Sequence, residues 1–181
     1  MEKLLIVVDM QNDFITGALA NTEGQKIVSK LADYIKNFKG KVVTTHDTHY
    51  EGYMNTQEGK NLPVEHCIKD TKGWELVPEI QEAIDACACH DIVDFQKITF
   101  GSTYLGDFVA RNANNFEEII LCGVCTDICV ISNALLVKAF APEIKVTVLS
   151  DLCAGVTPEA HETALKAMQS CQIHVTTSDA V

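Results

Sequence analysis

Leu4-Leu5-Ile6-Val7-Val8-Asp9 is the stretch whose reading decides the fold. Five consecutive apolar residues show no polar alternation, so the run reads as a strand buried on both faces. Outward from it, strand-length apolar runs alternate with segments of helical period. Ile27, Leu31, Ile35 and Phe38 recur at helical spacing. Gly40 stops that helix, and Val42-Val43 begins a second strand. Residues 48–73 are polar, with Gly52, Gly59, Pro63 and Gly73. This is the one long loop, and long loops in compact domains usually carry function.

A helical stretch follows around residues 75–86, then a short strand from Ile92 to Phe95 and a helix over 104–113. Ile119-Ile120-Leu121 reads as another buried strand, 127–140 as a helix, and Val146-Thr147-Val148-Leu149 as a strand. Thr157-Pro158 looks like an N-cap followed by Pro at the first helical position, with Ala164, Leu165 and Met168 as the inner stripe. Ile173-His174-Val175 closes the sheet. The pattern predicts one α/β domain over residues 1–181, a six-stranded, mostly parallel sheet with helices on both faces. No internal repeat, linker or low-complexity segment interrupts it.

The bulk numbers narrow the function. Of 181 residues, 47% are hydrophobic, enough for a substantial core. Lys and Arg total 14 against 25 Asp and Glu, a formal net charge of -11. That balance argues against a nucleic-acid partner and against docking on an anionic membrane. The apolar run at Leu4–Val8 is too short for a signal core or a membrane span. Eight cysteines in a regular α/β domain without a signal are expected to be reduced thiols in a cytoplasm.

In sheets of this kind ligands bind beyond the carboxyl ends of the strands. Asp9 ends the first strand; Asp47 and His49 follow the second, Lys97 the third, Cys125 and Cys129 the fourth, Asp151 the fifth. Reactive residue types therefore gather on one edge. Thr126 is a good N-cap, which sets Cys129 in the first helical turn. A helix start favours a thiolate, and its free N–H groups can receive an oxyanion. The alternative for Cys129 is a buried small hydrophobe, for Asp9 a turn residue, and for Lys97 a solvated charge.

Leu5-Ile6-Val7-Val8-Asp9-Met10-Gln11-Asn12-Asp13-Phe14, Lys97 with Phe100-Gly101-Ser102, and Gly123-Val124-Cys125-Thr126-Asp127-Ile128-Cys129-Val130 resemble the isochorismatase-like cysteine hydrolase superfamily. The resemblance spans the chain. It implies a catalytic triad of Asp9, Lys97 and Cys129, a cis peptide before Cys125, and an oxyanion hole from the amides of Cys125 and Cys129. Isochorismatases proper lack this cysteine, so its presence points to attack on an amide-type carbon. In the chemistry expected, Asp9 takes the thiol proton while the Lys97 ammonium favours the thiolate and orients Asp9.

Asp47-Thr48-His49, with Glu58 and His66 in the same loop, offers carboxylate and imidazole ligands suited to Zn²⁺, and also to Mn²⁺ or Fe²⁺. On spacing alone, solvated surface histidines are an equal reading. Nicotinamidases of the superfamily (the pyrazinamidase/nicotinamidase group) carry Asp-x-His followed by His-Cys, which Asp47, His49 and His66-Cys67 resemble, and Glu58 fits a further ligand place. The resemblance implies a pyridine carboxamide substrate, positioned by the metal through its ring nitrogen. Phe14, Trp74 and, more weakly, Tyr104 are candidates for packing against a flat ring; each is also a plain core or lid residue. By resemblance the enzyme is expected to be a homo-oligomer.

Four rival readings compete with this one. A related hydrolase acting on an N-carbamoyl or ureido amide shares the cysteine but generally lacks the metal set. Cys122-Gly-Val-Cys125 is a C-x-x-C, yet Cys122 falls inside an apolar strand, which disfavours a redox pair. Cys87-Ala-Cys89-His90 has poor spacing for a zinc site. A non-catalytic nucleotide-binding module would need a glycine-rich phosphate turn after the first strand, where Asp9-Met-Gln-Asn-Asp-Phe stands instead.

Overall fold

The structure, a computed structural model, describes residues 1–89 and 92–181. The first apolar run forms strand β1 (Glu2–Val8), followed by a short turn of helix α1 (Asn12–Ile15) and the long α2 (Thr22–Asn37). Strand β2 (Lys41–Asp47) leads into the long loop, which carries the short helix α3 (Gln57–Asn61), and then α4 (Pro78–Ala86). Next come β3 (Val93–Lys97), α5 (Thr103–Arg111), β4 (Phe116–Val124), α6 (Ile131–Phe140), β5 (Lys145–Ala154), α7 (Pro158–Ser170) and β6 (His174–Thr176).

The six strands form one sheet in the order β3-β2-β1-β4-β5-β6, with every neighbouring pair parallel. The chain winds one way from β1 to β3, then returns to the other side of β1 and winds the opposite way. With right-handed crossovers, that reversal puts the helices on opposite faces. α2 packs against α4 on one face, and α5, α6 and α7 adjoin in turn on the other. Leu4 to Val8 are fully buried, as a central strand covered on both sides requires. Each such side chain stabilises the fold by about 1.5–3 kcal/mol relative to exposure. The switch of winding direction opens a crevice between the carboxyl ends of β1 and β4, where ligands bind in this architecture.

Local chemistry sets the element ends. Asn21 caps α2, its Oδ1 accepting from the N–H groups of Glu23 and Gly24. Thr157 caps α7 through Ala160 N–H, with Pro158 next, as the sequence predicts. α4 starts later than expected, because Pro78 takes the first helical position while Val77 N–H pairs with the Met10 carbonyl. Gly123 has φ 117°, and a Cβ there would lie 2.1 Å from the Val8 carbonyl oxygen. Only glycine lets β4 pass that close to β1.

Four expectations need correction. The helix expected over 127–140 begins as a π turn at Thr126–Val130 before α6, and Thr126 is not its cap. The Thr126 hydroxyl instead pairs with His161 Nδ1 at 2.8 Å, a partner from a distant helix. Asp151 lies inside β5 and not beyond it, bound to Ser178 and Lys30 and away from the crevice. The cysteines are not all free: Cys87 and Cys89 are paired as a disulfide just past the end of α4. His90, which follows them, lies outside the described residues, and the other six cysteines are free.

Candidate active site and metal centre

Asp9 is the first residue past β1 and has φ 48°, a left-handed backbone that a non-glycine residue adopts at a cost. Its N–H donates to the Thr45 carbonyl at 3.1 Å, and its own carbonyl accepts from Gln11 N–H at 2.7 Å. The side chain is fully buried. Oδ1 accepts from the Thr45 hydroxyl at 2.6 Å, and Oδ2 faces the Lys97 ammonium at 2.7 Å. Lys97 ends β3, in register with Asp47 of β2, and reaches across β2 to Asp9. Its Nζ also lies 3.6 Å from Cys129 Sγ and 3.5 Å from Asp47 Oδ1. Asp9, Lys97 and Cys129, brought in by three strands, thus meet in one buried cluster.

The charges in this cluster oppose and support one another. Burial pulls the Lys97 ammonium down, but the Asp9, Cys129 and Asp47 groups outweigh it and hold its pKa above the ordinary lysine range. Burial and then the Asp9 carboxylate push the Cys129 thiol up, with Lys97 pulling the other way. The net direction is upward, so Cys129 rests as a thiol, and a base is needed at the moment of attack. Cys129 lies in the π turn after β4, and the Val124–Cys125 peptide is cis, as the resemblance implies.

A second cluster adjoins the first. Asp47 Oδ2 lies 3.0 Å from His49 Nε2 and 3.4 Å from His66 Nε2. Glu58 Oε1, on α3, lies 3.7 Å and 3.8 Å from the same two nitrogens. One donor atom from each of the four residues falls within 4.8 Å of the others. The set fits a divalent cation in chemistry as well as spacing: two carboxylates and two imidazoles suit Zn²⁺, Mn²⁺ or Fe²⁺. His66 Nδ1 donates to the Val64 carbonyl at 2.8 Å, which leaves the Nε2 lone pair facing the cluster. Burial and the nearby Asp47 charge push the Glu58 carboxyl up, a like-charge conflict that a cation relieves.

A cavity of about 670 Å³ joins the two clusters, lined by Asp47, Glu58, His66, Cys125 and Cys129. Phe14 also lines it, with its ring 5.6 Å from that of His66. Trp74 and Tyr104, expected against a substrate ring, are not among its lining residues. The Trp74 indole packs 5.0 Å from His46 and donates to the Thr48 hydroxyl, because a closer aromatic partner and acceptor hold it there. Tyr104 projects from the first turn of α5 and is 73% exposed. Phe100 and Ile128 supply the apolar wall instead. Cys122 is buried in β4 with its thiol toward the Ile6 carbonyl, and it is not bonded to Cys125.

The isochorismatase domain model matches residues 3–180. The chain belongs to the isochorismatase family. Its family relatives include a nicotinamidase of Escherichia coli (strain K12), 28% identical over 190 residues, covering 90% of this chain and 87% of that protein. Among solved structures, a pyrazinamidase of Pyrococcus horikoshii in complex with zinc superposes with TM-score 0.80 at 31% identity, covering 98% of this chain and 99% of that one. N-carbamoylsarcosine amidase from Thermoplasma acidophilum superposes with TM-score 0.77 at 27% identity, covering 100% and 99%.

Seen within the family, two further residues shape the site that spacing did not single out. Tyr53 is buried, its ring edge-on to His49 at 4.7 Å and to His66 at 5.1 Å. Its hydroxyl donates to the Leu62 carbonyl. Gln11 is fully buried and clamps the Asp47 backbone: Oε1 accepts from Asp47 N–H and Nε2 donates to the Asp47 carbonyl, each at 2.8 Å. Nothing in the loop composition marks Tyr53. Gln11 had a signal, since it lies within the Asp-x-Gln-x-Asp stretch that carries the resemblance.

Proposed function

We propose that this chain is a metal-dependent cysteine amidohydrolase that converts nicotinamide to nicotinate and ammonia. The observation that carries the reading is the single cavity lined by both Cys129 and three of the four clustered metal-type ligands. Asp47, His49, Glu58 and His66 would hold the ion, with zinc favoured by the pyrazinamidase relative. When bound, a divalent ion supplies a Lewis-acid point for a ring nitrogen and so orients the carboxamide.

The remaining chemistry belongs to the chain. Asp9 takes the Cys129 proton, and the Lys97 ammonium holds the Asp9 carboxylate aligned until it does. The thiolate sulfur bonds to the carboxamide carbon, and the carbonyl π electrons move to oxygen. The backbone N–H groups of Cys125 and Cys129 receive that oxyanion. Its collapse breaks the C–N bond, and Asp9 returns its proton to the leaving nitrogen, which departs as ammonia. Water then cleaves the thioester with Asp9 again as base, giving the acid and the free thiol. Phe14, Phe100 and Ile128 flank the flat ring. All these groups come from one chain.

No lysine or arginine stands among the described residues that line the cavity. A carboxylate-bearing N-carbamoyl amino acid would therefore find no ammonium or guanidinium side chain among those residues, and a neutral aromatic amide suits the apolar walls better. Ammonia release is the test, measured across nicotinamide, pyrazinamide, benzamide and an N-carbamoyl amino acid, with and without a chelator. The expected result is turnover of the two ring-nitrogen amides, suppressed by chelation. Preference for the N-carbamoyl substrate, untouched by chelator, would replace this reading with the ureido-type amidase. A flat response across the panel would leave a binding protein.

A further inference from the structure

Asp13 takes no part in the chemistry above, yet its surroundings are built around its charge. Oδ2 accepts from Cys67 N–H at 2.7 Å, and Oδ1 accepts from Ala18 N–H at 3.1 Å. Two glycines close on the same carboxylate. A Cβ on Gly73 would lie 2.1 Å from Oδ2, and one on Gly17 would lie 2.4 Å from Oδ1. Asp13 N–H donates to the Gly73 carbonyl at 2.9 Å, so the contact is fixed from both sides.

The two N–H groups it holds belong to different parts of the site. Cys67 N–H is in the peptide that joins it to His66, and Cys67 has φ 47°. The Cys67 carbonyl in turn accepts from His49 N–H at 2.9 Å. One carboxylate therefore anchors the backbone of both histidines. Ala18, with Gly17, lines the cavity on another side.

We propose that Asp13 is a positioning residue: it holds the His66–Cys67 peptide, and through it the two histidines, in register with the cavity wall at Gly17–Ala18. The proposal rests on the metal-dependent reading above. A carboxylate is required because two N–H donors converge on it. An amide accepts from one and turns its own NH₂ against the other.

The test compares the parent protein with Asp13→Asn and Gly73→Ala, the second of which pushes a methyl into the same carboxylate. Zinc affinity is measured by competition with a chromophoric chelator, and Cys129 accessibility by its rate of alkylation with iodoacetamide. Zinc affinity is expected to fall about 10- to 100-fold in both variants, with alkylation within about twofold of the parent, as for loss of an outer-shell partner. If Asp13→Asn does not fold, Gly73→Ala carries the comparison. Unchanged zinc affinity in a parent that binds zinc would overturn the positioning role alone. Loss of zinc binding together with alkylation much faster than in the parent would overturn it in favour of general unpacking, which exposes the buried Cys129 thiol. A parent that binds no zinc would overturn the metal reading, and the proposal with it.

Discussion

Lys97 is the one cation within reach of Asp9 Oδ2, Cys129 Sγ and Asp47 Oδ1 among the described residues, at 2.7, 3.6 and 3.5 Å. Removing it strands a buried carboxylate, so Lys97→Met is expected to destabilise the fold by about 3 kcal/mol. Denaturant midpoints check this, and adding Asp9→Asn should recover most of that stability while leaving the enzyme inactive. Independent, additive losses would contradict the pairing. Because burial and Asp9 push the Cys129 thiol up, its alkylation rate should still be climbing at pH 9.0, the ordinary thiol value. A plateau below neutrality would mean a standing thiolate and no need for Asp9. The chemical types Asp, Lys and Cys at strand ends were legible in the sequence. The directions of Thr126, Trp74 and Tyr104 were not, because each follows from a tertiary neighbour or from solvent: His161, His46 with Thr48, and the open surface of α5.

Strand ends position the chemistry, and β4 has the tightest constraint. Gly123→Ala places a methyl against the Val8 carbonyl at a φ that alanine disfavours, and about 3 kcal/mol or more of destabilisation is expected from strain and overlap together. Equilibrium unfolding that matched the parent would show that β4 can retreat from β1. At the other end of β4, Glu118 is buried and accepts from the Thr147 hydroxyl at 2.7 Å, with the Lys145 ammonium 2.8 Å away and that of Lys3 at 3.4 Å. Burial raises its pKa, but these partners outweigh burial and lower it below the ordinary 4.5. A depressed folded pKa gives stability that is present above the ordinary value and lost as pH falls through the folded one. Glu118→Gln should therefore flatten the decline of Tm with acid below about pH 4.5; an unaltered slope would assign that decline to other carboxylates. The apolar strand runs and the Thr157 cap could be read from sequence. The π turn could not, since it depends on how β4 meets the next helix and not on residue propensity.

For the whole molecule, the four metal-type ligands come from the end of β2, α3 and the loop between them and α4, so an ion there ties the long loop to the sheet. Zinc at a hundredfold excess over its Kd should raise stability by about 2.7 kcal/mol. For a chain of this size that is roughly 5–10 °C in Tm, reversed by chelator. An unshifted melting curve would contradict an ion at this site. The six-stranded parallel sheet and the gathering of Asp9, Lys97 and Cys129 at one edge followed from the sequence pattern and the resemblance together. The contacts of Gln11, Asp13 and Tyr53 did not, although Gln11 and Asp13 lie in the stretch that carries the resemblance, because they are long-range contacts to backbone and rings. The proposed function requires Cys129 to attack nicotinamide. The direct measurement is steady-state ammonia release from nicotinamide by zinc-loaded parent and Cys129→Ala at matched metal content. Turnover is expected in the parent, and background in the variant with its metal retained. An inactive parent, or a variant with activity near that of the parent, would contradict it.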